Sequence, residues 1–106
     1  MKTIVYNKLV RDKIPEIIEK DGKTCTCSVL SDEEYLKKLD EKLGEEQAEY
    51  QESKSMEELA DLLEVMHAVA AARGSSMEEV EKIRQEKARK RGGFEKKILL
   101  EKVVEA

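Results

Sequence analysis

The chain has 106 residues, of which 42% are charged and 40% hydrophobic, with a formal net charge of −4. That length matches one domain of about 100–150 residues, and the acidic balance excludes a protein that grips nucleic-acid polymers through a dominant basic field. No run of about 18 apolar residues is present and the opening from Met1 to Lys8 lacks the apolar block of a signal peptide, so neither a membrane span nor secretion is expected, and the predicted location is cytoplasmic.

The charged fraction exceeds the roughly 25% of ordinary domains, which leaves thin material for a lone core. Leu, Ile, Val and Met nevertheless recur at helical spacing, a pattern that a disordered polyelectrolyte lacks. The composition therefore predicts one folded domain over 1–106, completed by a second subunit.

In chain order, Lys2 to Val10 alternates enough for a short extended segment. Lys13 to Lys20 reads as a short helix with Pro15 in its first turn, stopped by Asp21-Gly22. Thr24 to Leu30 alternates hydroxyl and apolar side chains and reads as a second strand, with Cys25 and Cys27 as reduced thiols on its inner face. Ser31, followed by Asp32, Glu33 and Glu34, is a capping-box start for a helix over about 32–52. Ser55 with Glu58 repeats the pattern and opens a second long helix that ends near Arg73-Gly74. Ser75 or Ser76 with Glu79 opens a third, reaching about Arg91 before Gly92-Gly93. The tail from Phe94 to Ala106 fits either a strand or a terminal helix. The fold class expected is mainly α: an antiparallel helical bundle with a small N-terminal strand and helix appendage.

On a helical wheel, Leu36, Leu39, Leu43 and Tyr50 of the first long helix form one stripe, and Glu46 falls inside it. Glu49 lies at the edge of the same face, preceded by Lys42, and Glu45 is further round. On the next helix Leu59, Leu62, Leu63, Met66 and Ala70 form the main apolar face, which Val65, Val69 and Ala72 extend on one side; Glu58 and Asp61 project from that extension. The pairs Glu46/Glu49 and Glu58/Asp61 can thus converge across an antiparallel helix pair. Carboxylates brought together out of water repel one another and lose solvation, costs that a cation offsets. Hard oxygen donors of this kind suit Mg²⁺ or Mn²⁺ rather than zinc or copper. Glutamates on a solvated helix face give the same spacing, and the wheel alone leaves both readings open.

The wording Lys42-Leu-Gly-Glu45-Glu46-Gln-Ala-Glu49, followed by Glu57-Glu58-Leu-Ala-Asp61-Leu-Leu, resembles the E-E-x-x-E and E-x-x-D signatures of the MazG-like, all-α nucleoside triphosphate pyrophosphohydrolases. Within that superfamily the Lys-Leu-Gly-Glu-Glu and Ala-Asp-Leu-Leu segments are similar to phosphoribosyl-ATP pyrophosphohydrolase. The resemblance implies a hydrolase that uses Mg²⁺, or Mn²⁺, to cleave a nucleotide to a monophosphate and pyrophosphate. It implies Glu46, Glu49, Glu58 and Asp61 as metal ligands, with Glu45 supporting the site and Glu49 orienting or deprotonating the water. It also implies a homodimer or homotetramer. Three departures, a loop between the acidic pairs shorter than in many relatives, Val65 where phosphoribosyl-ATP enzymes usually carry His, and the foreign N-terminal appendage, favour removal of unwanted nucleotides over histidine synthesis.

Basic residues complete the expected site. Lys8, Arg11 and Lys13 precede the Pro15 helix as a phosphate clamp, with Lys42 nearby. Lys87, Arg89, Lys90 and Arg91 form a second patch beside Phe94, which either stacks on a base or fills the core. Glu64 and His67 match half of a di-iron motif, but their wheel position lies away from Glu58 and Asp61. A non-enzymatic dimeric helical module is the alternative from another functional class.

Overall fold

The computed structural model describes residues 1–106 and contains four helices: α1 (Ile14–Lys20), α2 (Asp32–Ser53), α3 (Met56–Ala72) and α4 (Met77–Arg91). The protein is mainly α, and each helix lies within a residue or two of its sequence-based bounds.

The three long helices begin where a serine hydroxyl can satisfy a free amide. Ser31 Oγ accepts from the Glu34 N–H at 3.3 Å, Ser55 Oγ from the Glu58 N–H at 3.3 Å and Ser76 Oγ from the Glu79 N–H at 3.2 Å. Each such cap contributes about 1 kcal/mol, and the acids in each first turn meet the positive end of the helix dipole. Gly74, with φ 83°, closes α3 through its N–H to the Ala71 carbonyl at 3.1 Å; the left-handed backbone there is what glycine tolerates best.

Lys54 takes a left-handed φ of 58° and donates its N–H to the Tyr50 carbonyl at 2.7 Å, ending α2. Two residues thus suffice to turn the chain, and α3 folds back antiparallel on α2. Two contacts trace this register: Asp40 pairs with Arg73 at 2.7 Å, and the carboxylate of Glu46 comes opposite that of Asp61. The core between the two helices is small, with Leu39, Val65 and Ala70 buried. α4 packs against α3.

Several expectations are corrected. No strand forms: Lys2 to Val10 and Thr24 to Leu30 carry no regular structure, because neither finds a partner ladder within the chain. The N-terminal appendage is therefore α1 flanked by irregular segments. Cys25 is half-buried and Cys27 exposed; both are free thiols, as expected, with Cys27 Sγ donating to Cys25 Sγ at 3.8 Å, but without a strand there is no inner face for them to share. The tail is neither strand nor helix, and Phe94, Ile98, Leu99, Leu100, Val103 and Val104 are exposed. On α3, Val65 of the side extension and Ala70 of the main stripe are buried, while Leu59, Leu63 and Met66 of the same main stripe remain exposed at 38%, 47% and 37%.

That open stripe has a counterpart in the whole surface. A compact chain of 12.1 kDa exposes about 6,000 Å², yet this one exposes 10078 Å². Its radius of gyration is 19.0 Å, against about 13 Å for a compact domain of this length.

Candidate metal centre

Antiparallel packing of α2 on α3 places acids from both helices on either side of one seam. Glu46, Glu58 and Asp61 each present a carboxylate oxygen, and these oxygens lie within 4.8 Å of one another. Glu46 occupies a position that the helical period assigns to the core, and it is only 6% exposed. Glu58 and Asp61 project from the first turns of α3, one helical turn apart, toward the same point.

Glu46 Oε2 and Glu58 Oε2 are buried and accept no hydrogen bond. A buried carboxylate oxygen without a partner costs on the order of 1–3 kcal/mol or more, so two together at one seam are a rare arrangement. Burial is the main force that pushes the Glu46 carboxyl above its ordinary value of 4.5, with Glu49 and Asp61 adding to it and Lys42 opposing. Glu58 is raised by the same cause first, and then by Glu49, Asp61 and Glu57. Burial, with the neighbouring carboxylates, thus makes both groups resist ionisation.

The donor set fits a hard divalent cation. Three converging carboxylates, two with free oxygens, are the ligand chemistry of Mg²⁺ or Mn²⁺, while sulfur and imidazole are absent from the seam. Glu49, expected as a fourth ligand, stands outside the convergent trio. It is exposed, yet close enough to act on both Glu46 and Glu58.

The expected basic residues divide into two groups. Lys42 Nζ lies 3.5 Å from Glu46 Oε1, Lys8 Nζ 3.1 Å from Glu45 Oε1, and Arg11 Nη2 2.8 Å from Asp61 Oδ1. These three are brought to the acids. Lys13 instead occupies the N-cap position of α1 and forms no ion pair with them. Lys90 pairs with Glu86 at 3.6 Å on its own helix, and Arg91 and Phe94 make no contact with the acidic seam. Phe94 fills no core within the chain. Glu64 and His67 are exposed and lie outside the cluster.

The links Arg11 to Asp61 and Lys8 to Glu45 were not legible in the sequence. Fifty residues separate the first pair, and no local spacing carries such a signal. Asp40 and Arg73 likewise join across the hairpin without a motif to announce it.

No family model matches the chain, and no solved structure matches it. An uncharacterized protein of Mycolicibacterium smegmatis is 55% identical over 42 residues, which cover 40% of this chain and 43% of that protein. The match therefore spans less than half the length of either chain.

Proposed function

We propose that the protein is a Mg²⁺-dependent pyrophosphohydrolase of the MazG-like kind, cleaving a nucleoside triphosphate or related nucleotide to a monophosphate and pyrophosphate. The observation that carries this reading is the pair of buried, unpartnered oxygens on Glu46 and Glu58, converging with Asp61. Together with the E-E-x-x-E and E-x-x-D wording, it favours a cation site over a solvated acidic face.

Glu46, Glu58 and Asp61 would hold the ion, with Glu49 beside them. When bound, Mg²⁺ supplies positive charge to triphosphate oxygens and lowers the pKa of the attacking water. Glu49 is exposed beside the trio, where it can orient the water and accept its proton as oxygen adds to the α-phosphorus and pyrophosphate leaves. Glu45 supports it from the same helix. Lys42, Lys8 and Arg11 line the seam with positive charge suited to phosphate. Phosphoryl-type transfer relies on positioning and charge stabilisation, so no serine, cysteine or histidine nucleophile is required.

Lys13, Lys90, Arg91 and Phe94 stand apart from the seam and enter the site only if the chain associates. We assign it a homodimer or homotetramer, on the excess surface of about 4,000 Å² over a compact monomer. Obligate dimers bury roughly 1,000–2,500 Å² per subunit, which that excess more than covers. No helix is long and apolar enough to cross a membrane; the proposed setting is the cytoplasm, and the proposed role is removal of unwanted nucleotides.

A coupled assay with inorganic pyrophosphatase, run over a panel of nucleotides with Mg²⁺, tests the reading. Turnover of at least one nucleotide is expected, and it should be lost in both Glu46→Gln and Asp61→Asn while helix content by circular dichroism is kept. Absence of turnover across the panel, together with no Mg²⁺ or Mn²⁺ binding, would leave the chain as a helical interaction module.

A further inference from the structure

Besides Lys42, two cations from the chain ahead of α1 sit on the acidic seam. Arg11 donates from Nη2 to Asp61 Oδ1 at 2.8 Å, and Lys8 Nζ approaches Glu45 Oε1 to 3.1 Å. Both belong to the irregular segment before α1, and both side chains are more than half exposed, at 58% and 53%. Of residues 1–13, only Leu9 is even half-buried. Charge, rather than apolar packing, holds this arm against the helices.

We propose that the arm is a displaceable strap: Arg11 stands as a placeholder cation on Asp61 and gives way when a divalent cation loads among Glu46, Glu58 and Asp61, which frees it to meet substrate phosphates. This rests on the metal reading above. A guanidinium on Asp61 and a dication among Glu46, Glu58 and Asp61 compete for the same negative charge and repel one another. An exposed ion pair contributes little and yields easily, whereas an ion that enters the seam gives partners to the two free oxygens of Glu46 and Glu58. Arg11 released from Asp61 remains tethered three residues before α1, with a planar fork suited to phosphate oxygens.

The strap predicts effects of opposite sign in two titrations, a result that a merely structural role for Arg11 does not give. Free Mn²⁺ is followed by electron paramagnetic resonance in the absence of nucleotide, and Mg²⁺-pyrophosphate binding by calorimetry. Wild type, Arg11→Gln and Arg11→Lys are compared, with helix content checked by circular dichroism. Arg11→Gln should bind Mn²⁺ about two- to five-fold more tightly, the range an exposed ion pair allows, and bind Mg²⁺-pyrophosphate more weakly. Arg11→Lys should stay near wild type in both. Equal or weaker Mn²⁺ binding in Arg11→Gln, with wild type binding normally, overturns the strap alone. No Mn²⁺ binding by any well-folded variant brings down the metal reading and the strap with it.

Discussion

Glu46 sits where the helical period demands an apolar side chain, and its second oxygen is buried without a partner. Retaining a carboxylate there costs stability unless a cation enters. Glu46→Gln removes the buried charge, so the metal-free protein should become more stable at pH 7.5, by about 1 kcal/mol, while Mn²⁺ affinity falls at least about ten-fold. Thermal melts with and without Mn²⁺ check both; a variant that is less stable without metal and unchanged in affinity contradicts the assignment. The raised carboxyls of Glu46 and Glu58 give a second prediction. Because folding favours their protonated forms, their contribution to stability is full below the ordinary carboxyl value of 4.5 and is lost as pH rises through the higher folded values. The melting temperature of Glu46→Gln should therefore fall less than that of wild type as pH is raised from 4 to 8 in chelator, and Mg²⁺ should recover wild type at the upper end. Equal pH slopes in the two proteins would show that Glu46 is not the group under strain.

At the scale of elements, the hydroxyl caps carry the helix starts. Ser55→Ala removes the acceptor for the Glu58 amide at the point where α3 must place Glu58 and Asp61, and should cost about 1 kcal/mol in urea unfolding. A loss below a few tenths would mean that the tight turn at Lys54 alone sets the start of α3. Arg73→Ala should cost less, under about 1 kcal/mol, since its pair with Asp40 is exposed. These same features explain what could be read in advance. Ser31, Ser55 and Ser76 announce their helices because a cap and its amide are three residues apart, and Gly74 announces a stop for the same local reason. The convergence of Glu46 with Glu58 and Asp61 was also legible, since the wheel and a short turn together fix which faces meet. The strands proposed around Val5 and Cys25 failed because a strand is stabilised by a partner distant in sequence, and alternation alone does not supply one. The hairpin register buries Val65 of the side extension and Ala70 of the main face of α3, and leaves Leu59, Leu63 and Met66 exposed.

For the whole molecule, the stripe of α3 and the tail leave apolar side chains exposed, which is the surface on which the proposed assembly rests. Sedimentation equilibrium at micromolar concentration should give a mass of at least twice 12.1 kDa, and Leu63→Glu, placed at the centre of the stripe, should lower it toward the monomer. A well-folded wild-type monomer would contradict the assembly, and a variant of unchanged mass would move the interface away from this stripe. The proposed function makes the α2–α3 seam a Mg²⁺ site for pyrophosphate release. The most direct test is phosphorus NMR of a nucleotide turned over with Mg²⁺ in ¹⁸O-labelled water. From such a site, unlabelled pyrophosphate and a monophosphate that carries the label at its phosphorus are expected, with neither product formed by Glu46→Gln. Release of orthophosphate and a diphosphate, or equal turnover by Glu46→Gln, would contradict it.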